Sequence, residues 1–485
     1  MTAVVGLDVG TSGVKGIALD EDGTIVARAE SNYGLLTPRP GWAEQDPETW
    51  WTATQEVLEV LRRAAGPPAG IGLSGQMHGL VALDASDAVI RPALLWNDQR
   101  TAAETQEITD RVGLARLVEL TGNRALTGFT APKLLWLRTH EPEHFGRIAH
   151  VMLPKDYVRL KLTGERATDV ADASGTLLFD VAARTWSGPM CEALEVDPAW
   201  LPPALECAEA SGRTPEGVVV AAGGGDQAAG ALGVGIDGPG PASVVLGTSG
   251  VVFTGLERYA ADPEGRVHVF CHAVPGTWHA MGVILSAAGS LQWLRDVAAP
   301  GADFGALVEE AARWEPGAGG VTFLPYLAGE RTPHADPDAR ASLTGLGLHH
   351  DRGALVRAVL EGVAFGLRDA LDLLHAAGAH PEVGRASGGG ARSDLWLRIV
   401  ASVLELPLER TAADEGAAFG AALLGGVAAG VWDSPSEAVR AAVRTTGTVE
   451  PDPAWSARYR ELHAHYTDLY PALRDVRPPD PGSSS

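Results

Sequence analysis

The tetrapeptide G-T-S-G occurs at residues 10–13 and again at 247–250, each time between two short β-rich runs. The first copy lies between A-V-V-G-L-D-V (3–9) and V-K-G-I-A-L (14–19). The second lies between Ser243–Leu246 and Val251–Thr254. Glycines at both ends let the backbone approach a ligand closely, and the Thr and Ser between them supply hydroxyl and N–H donors suited to phosphate. One such hairpin in each half of a 485-residue chain, a length beyond one comfortable core, predicts two related domains.

The surrounding pattern fits that plan. Residues 24–29 (T-I-V-A-R-A) extend the first hairpin into an antiparallel meander through the Asp22–Gly23 turn. Asp46-Pro47-Glu48 reads as a helix start, with an N-cap, a proline at the first helical position and an acid in the first turn. Strands are expected at 70–74, 80–83 and 93–96, and helices near 99–120 and 131–140. Later, Val218–Ala222 reads as a buried strand. Val356, Val359, Leu360, Val363, Leu367 and Leu371 recur at helical spacing within a long helix over about 353–376. Further helices fit 393–404, 415–429 and 455–471. Glycine and proline cluster in G-I-D-G-P-G-P (235–241). This sets the expected domains at 1–236 and 237–475, with a disordered tail over 476–485.

Composition removes several classes of function. The formal net charge is −23, from 61 acidic and 38 basic residues, which argues against a nucleic-acid or anionic-membrane partner. It leaves room for a phosphorylated ligand held by backbone N–H groups and Mg²⁺. Cys191, Cys207 and Cys271 lie far apart, so neither a metal site nor a disulfide framework is expected and the default compartment is a reducing cytoplasm. The N-terminus shows no basic signal-peptide region. The uncharged run Ala417–Trp432 is mostly Ala and Gly and falls short of the roughly 20 strongly apolar residues that span a bilayer. It reads as a buried core helix. No G-x-x-x-x-G-K-[ST] motif is present, and G-V-G-I-D-G (233–238) is followed by Pro239 and Pro241 where a helix should begin.

A lone acid, Asp226, sits in A-A-G-G-G-D-Q-A-A-G (221–230). An unpaired buried carboxylate is costly to desolvate. It either caps a helix that starts after the three glycines or carries chemistry; the stretch alone does not choose.

The order of motifs does. D-V-G-T-S-G-V-K (8–15), S-G-Q-M-H-G (74–79), L-W-N-D-Q-R (95–100) and G-G-G-D-Q-A-A-G (223–230) are followed by L-G-T-S-G (246–250), W-H-A-M-G-V-I-L-S-A-A-G (278–289), G-E-R-T-P-H-A-D-P (329–337) and S-G-G-G-A-R-S (387–393). G-F-T-A-P-K-L-L-W-L (128–137) is similar to the first family signature. The stretch from L-T-G-L-G-L to V-L-E-G-V-A-F-G-L (343–367) is similar to the second. Together, over roughly residues 4–430, the chain resembles the FGGY carbohydrate kinases, and among them most closely those that phosphorylate xylulose.

The resemblance implies an α/β fold of two ribonuclease H-like (actin/Hsp70/sugar-kinase) domains flanking a nucleotide and substrate cleft. It implies ATP-dependent phosphorylation of a pentulose, D-xylulose first, with L-ribulose, glycerol or another polyol as rivals. A non-catalytic ATP-gated binding protein of the same fold is the more distant alternative. Asp226 resembles the general base that takes the sugar hydroxyl's proton, and a helix N-terminus there is expected to lower its pKa. Asp8 resembles the acid that organises Mg²⁺ and the phosphates; the plainer reading is an Asp bonding its own turn amides. Thr11, Ser12 and Lys15 resemble the first phosphate hairpin, although Lys15 reads equally as an exposed strand lysine. Gly247 and Thr248 resemble the second. Met77 and His78, with Trp96 and Asn97, are the expected sugar contacts beside Asp226 and Gln227. Gln227 departs from the Asn common at that position. Gly389, Gly390 and Ala391 resemble the adenine-side loop, or form only a turn into the helix at Ser393. Glu330 and Arg331 receive no role. The partners expected are a sugar and MgATP. Dimers are common among similar kinases, which by analogy makes a homodimer a candidate assembly.

Overall fold

Three strands open the chain: β1 (Val4–Val9), β2 (Gly13–Leu19) and β3 (Ile25–Asn32). They pair antiparallel as the expected meander, Val9 opposite Val14 and Gly13 opposite Asn32. Asp46 caps α1 (Pro47–Ala65) by accepting from the Glu48 amide. Then β4 (Gly70–Gly75) returns parallel to β1. The computed structural model describes residues 3–412 and 415–476, so the tail expected over 476–485 lies outside the described residues from 477 onward.

The chain divides into two compact units: Met1–Pro239 with Gly255–Ala280 and Ala412–Arg444, and Gly240–Thr254 with Met281–Thr411 and Thr445–Ser485. The first unit adds α2 (Pro154–Thr163), β5 (Ala210–Arg213), β6 (Val219–Ala221) and α3 (Asp226–Gly233). Its sheet runs β5-β6-β4-β1-β2-β3. Trp50, Val57 and Leu61 of α1 pack on Leu7, Val9 and Val14 of the sheet.

The helix Gly416–Ala428 is the core helix expected from the Ala417–Trp432 run. It lies so close to the sheet that a Cβ on Gly72 would sit 1.7 Å from the Ala421 carbonyl oxygen. Against α3 it is equally tight: a Cβ on Gly420 would sit 1.8 Å from the Ala229 oxygen. Small residues at these crossings, chosen for close backbone approach, fix where α3 begins.

The helix expected near 99–120 is instead two, Ala102–Val112 and Leu114–Thr121. Gly113 lies between them at φ 84°, ψ 139°, a backbone geometry no α-helix continues through.

In the second unit β7 (Pro241–Leu246) pairs antiparallel with β8 (Gly250–Leu256). After α4 (Arg352–Ala376), β9 (Val383–Ser387) returns parallel to β7. Then come α5 (Asp394–Leu404), β10 (Leu408–Thr411), β11 (Thr445–Val449) and α6 (Pro453–Leu473). The six apolar positions read at helical spacing in α4 are all buried. Each G-T-S-G turn thus joins two antiparallel strands whose first member later gains a parallel neighbour. The echo in sequence is an echo in backbone.

Candidate active site

In the first unit Asp8 stands near the end of β1, in register with Lys15 of β2 and Ser74 of β4. Its Oδ1 is buried and has no hydrogen-bond partner. Burial raises the Asp8 pKa, against the downward pull of Ser74 and Lys15.

The 10–13 turn is built from both sides. Gly10 N donates to the Gly13 carbonyl at 3.0 Å, and Tyr33 Oη donates to the Gly10 carbonyl at 2.7 Å. Gln45 Nε2 donates to the Thr11 carbonyl at 2.7 Å. The Thr11 hydroxyl donates to Gln76 Oε1 at 3.1 Å and accepts from Trp96 Nε1 at 3.0 Å. The Thr11 hydroxyl thus ties Trp96 to the turn, and Ser12 and Lys15 are the exposed positions. Gln45, Gln76 and Tyr33 were not singled out in the sequence. Gln76 stands inside S-G-Q-M-H-G, where it could have been found.

Gly224–Gly225 pairs with Ser74–Gly75, and Gly223 holds φ 82° as the chain turns toward α3. Gly225 is the N-cap and Asp226 the first helical residue, so the capping alternative does not hold. Gln227 Nε2 donates to Asp226 Oδ1 at 3.3 Å. The Asp226 pKa is pushed up to about 7, by burial first and by Asp8 second, with Gln227 opposing. The lowering expected from a helix N-terminus is therefore overturned, because desolvation and a like charge outweigh the dipole.

Met77 packs directly on the residue before Asp226: a Cβ on Gly225 would sit 2.7 Å from Met77 Cγ. His78 adopts φ 68°. Its Nδ1 lies 2.7 Å from the Gly175 carbonyl, which can only accept, so Nδ1 carries the proton. Phe129 lies 4.5 Å from its ring. The His78 carbonyl accepts from Lys133 Nζ at 2.8 Å and from Thr130 Oγ1 at 3.1 Å. Burial pushes the Lys133 amine down to about 7. Trp96 is 44% exposed, and Asn97 keeps a buried Oδ1 without a partner.

Beneath the Gly223 turn lies a fully buried ionic cluster that sequence reading missed. Lys155 Nζ is 2.6 Å from Asp156, 2.5 Å from Asp169 and 3.2 Å from Asp172. Arg159 pairs with Asp156 at 2.9 Å and donates to the Ala167 and Ala222 carbonyls. Burial alone would depress the Lys155 ammonium; the three carboxylates outweigh it and hold its pKa above the usual range.

In the second unit the Gly247–Thr248 turn is held by its carbonyls. Ala288 N donates to the Gly247 oxygen at 2.7 Å and Ala287 N to the Thr248 oxygen at 2.8 Å. The Gly389–Arg392 turn lies alongside: a Cβ on Gly388 would sit 2.7 Å from the Leu246 carbonyl oxygen. The missing side chain of Gly390 serves packing against Leu246 and Trp396, whereas nothing lies within 4 Å of a Cβ built on Gly389. Ala391 is buried. So Asp8, Thr11, Ser12, Lys15, Met77, His78, Trp96, Asn97, Asp226 and Gln227 are carried by the first unit, and Gly247, Thr248 and Gly389–Ala391 gather in the second.

A cavity of about 530 Å³ in the first unit is lined by Asp8, Lys15, Arg28, Glu415 and Gly416 among others. A larger one, about 650 Å³, lies over Val5, Trp51, Leu58, Pro67 and Ile71 and touches none of the candidate residues. Among the described residues no three His, Cys, Asp or Glu side chains cluster as a metal site, no helix is long and apolar enough to cross a membrane, and the three cysteines are free and buried.

Duplicated hairpin units, a buried acid at a helix start and a glycine turn beside the second hairpin fit an ATP-dependent carbohydrate kinase, and the comparisons with known proteins agree. The chain belongs to the FGGY family of carbohydrate kinases: residues 3–233 match the family's N-terminal domain and 242–429 its C-terminal domain. It is 45% identical over 437 residues to the xylulose kinase of Escherichia coli (strain K12), covering 88% of this chain and 90% of that one. It superimposes on the crystal structure of a xyloylose kinase from Brucella ovis with a TM-score of 0.93 at 43% identity, covering 98% of this chain and 100% of that one. The gluconate kinase of Lactobacillus acidophilus gives the same TM-score, 0.93, at 26% identity, covering 97% and 98%.

Proposed function

We propose that the chain phosphorylates D-xylulose to D-xylulose 5-phosphate with Asp226 as the general base. One observation carries this reading: the Asp226 carboxyl has a pKa pushed up to about 7, at the start of a helix fixed beside Met77. A base with a pKa near the working pH combines a sizeable ionised fraction with useful proton affinity. In this reading Asp226 accepts the proton of the attacking sugar hydroxyl. Met77, His78, Trp96 and Asn97 hold the sugar, and Gln227 orients Asp226 through its 3.3 Å hydrogen bond. Gly247 and Thr248 take nucleotide phosphate, and Gly389 admits the adenine.

Mg²⁺ binds through one or two carboxylates while keeping water and phosphate oxygens, so the orphaned Asp8 Oδ1 fits it without a three-residue cluster. When bound it would neutralise phosphate charge. Asp8 is the residue that would hold it. The enzyme is assigned to the cytoplasm and, by analogy, to a homodimer, which sedimentation equilibrium tests.

Fold does not choose the sugar, since the gluconate kinase matches at the same TM-score; the higher identity to the xylulose kinases favours the pentulose. The test is coupled ADP release with MgATP and D-xylulose, L-ribulose, D-ribulose, L-xylulose, glycerol or gluconate, beside a no-sugar control. The highest kcat/KM is expected on D-xylulose. Preference for another sugar would overturn the substrate assignment, and no stimulation by any sugar would favour the ATP-gated binding protein.

A further inference from the structure

The motif G-E-R-T-P-H-A-D-P has no part in the function described so far, yet its acid is one of the most enclosed in the chain. Glu330 is 1% exposed. Its Oε1 accepts from the Leu285 amide at 2.9 Å and from the Arg331 amide at 2.7 Å. Its Oε2 is buried without a hydrogen-bond partner. Two residues on, Thr332 clasps Val283, near the end of the strand Trp278–Ile284, donating from N to its carbonyl at 3.0 Å and accepting at Oγ1 from its amide at 3.0 Å. Glu330 and Thr332 together therefore set the height of residues 283–285.

That segment leads directly into the helix Ala288–Ala298, whose first amides are spent on the second G-T-S-G turn. Ala288 N donates to the Gly247 oxygen at 2.7 Å, and Ala287 N and Gly289 N to the Thr248 oxygen at 2.8 and 3.1 Å. A trans peptide points its C=O and the following N–H in opposite directions. With the Gly247 and Thr248 carbonyls turned to the helix, the amides of Thr248 and Ser249 are aimed away from it. Two successive N–H groups aimed one way are a phosphate cradle.

We infer that Glu330 is a positioning residue for the nucleotide: through Leu285 it sets the 285–289 segment that turns the Thr248 and Ser249 amides toward a nucleotide phosphate. The inference rests on the reading of the Gly247–Thr248 turn as a nucleotide site. Burial pushes the Glu330 pKa up to about 8, so near neutral pH the side chain is a neutral acid whose closest isostere is glutamine. Aspartate keeps the carboxyl but withdraws it by one methylene.

The test compares Glu330→Gln and Glu330→Asp by steady-state kinetics in MgATP and in sugar, with hydrogen–deuterium exchange of the peptide covering 246–252 in wild type with and without MgADP. The expected pattern is slowed exchange of that peptide by MgADP, wild-type kinetics for Glu330→Gln, and a roughly tenfold higher KM for MgATP in Glu330→Asp with the sugar KM within twofold. A purely structural carboxyl would move both KM values together, and that result overturns the inference. So does an unchanged KM for MgATP in Glu330→Asp, or a Glu330→Gln variant as impaired as Glu330→Asp. Failure of MgADP to slow exchange in wild type instead removes the nucleotide reading of the turn itself, and the inference with it.

Discussion

At the scale of single residues, one carboxyl is raised by its neighbour. Asp226 is pushed up to about 7 by burial and by the Asp8 charge. If its ionised form is the working base, kcat/KM for the sugar falls about tenfold per pH unit below about 7 and levels off above it. Removing the Asp8 charge in Asp8→Asn moves that limb to lower pH, whatever it does to the maximum rate; a pH–rate profile of the residual activity reads the shift. A limb that stays in place would mean that Asp8 does not raise the base.

Asp226, Met77 and His78 could be singled out in the sequence because each stands in one of an ordered series of short motifs. Gln45 and Gln76 were not, because what makes them matter is Thr11, 34 and 65 positions away in sequence. The direction of the Asp226 shift was misread for a related reason: a helix start shows in sequence, whereas the burial and the Asp8 beside it come only with the fold.

At the scale of elements, α3 is held by contact between main chains. Gly420→Ala would place a Cβ 1.8 Å from the Ala229 carbonyl oxygen. Backbone cannot swing aside as a side-chain tip can, so the helix carrying Asp226 must shift. A loss of about 1–3 kcal/mol is expected from such overpacking, together with lower kcat; denaturant unfolding and kinetics on the same preparation measure both. A substitution at Gly430, where nothing lies within 4 Å of a built Cβ, is the control for helix-region glycine loss, although its φ of 75° adds some strain of its own.

The major elements were anticipated by periodicity, caps and glycine turns. Where an expected helix proved to be two, the signal was a single glycine, Gly113, in a conformation the apolar pattern does not encode. The buried Lys155–Asp156–Arg159–Asp169–Asp172 cluster escaped notice because five charged residues spread over two segments look like solvated surface until the fold encloses them.

At the scale of the whole molecule, burial raises the pKa of several acids. Asp8, Asp226 and Glu330 all have folded pKa values above those of free carboxylates, each with burial as the first cause. Between the unfolded values, near 4, and the folded ones, the native state binds more protons than the unfolded chain, so their stabilising contribution is lost as pH rises. Histidines such as the buried His272 and the half-buried His334, whose pKa values are lowered to about 4, act in the opposite sense over the same window. The acid's share is therefore read by difference: the change in unfolding midpoint from pH 5 to pH 7 is expected to be more negative in wild type than in Glu330→Gln. Differential scanning calorimetry of both proteins decides it, and an equal change in the two would contradict the sign. The duplication that places one glycine hairpin in each half was readable from two tetrapeptides. That the first unit also draws in Gly255–Ala280 and Ala412–Arg444 depends on packing between segments far apart in the chain.

The claim on which the account stands is that Asp226 removes the proton from the sugar. The most direct measurement is kcat for Asp226→Ala with saturating D-xylulose and MgATP, on protein whose circular dichroism matches wild type. General-base catalysis contributes about 10²–10⁴-fold, so the account predicts a kcat at least a hundredfold below wild type. A folded variant that keeps a tenth of the wild-type rate would contradict it.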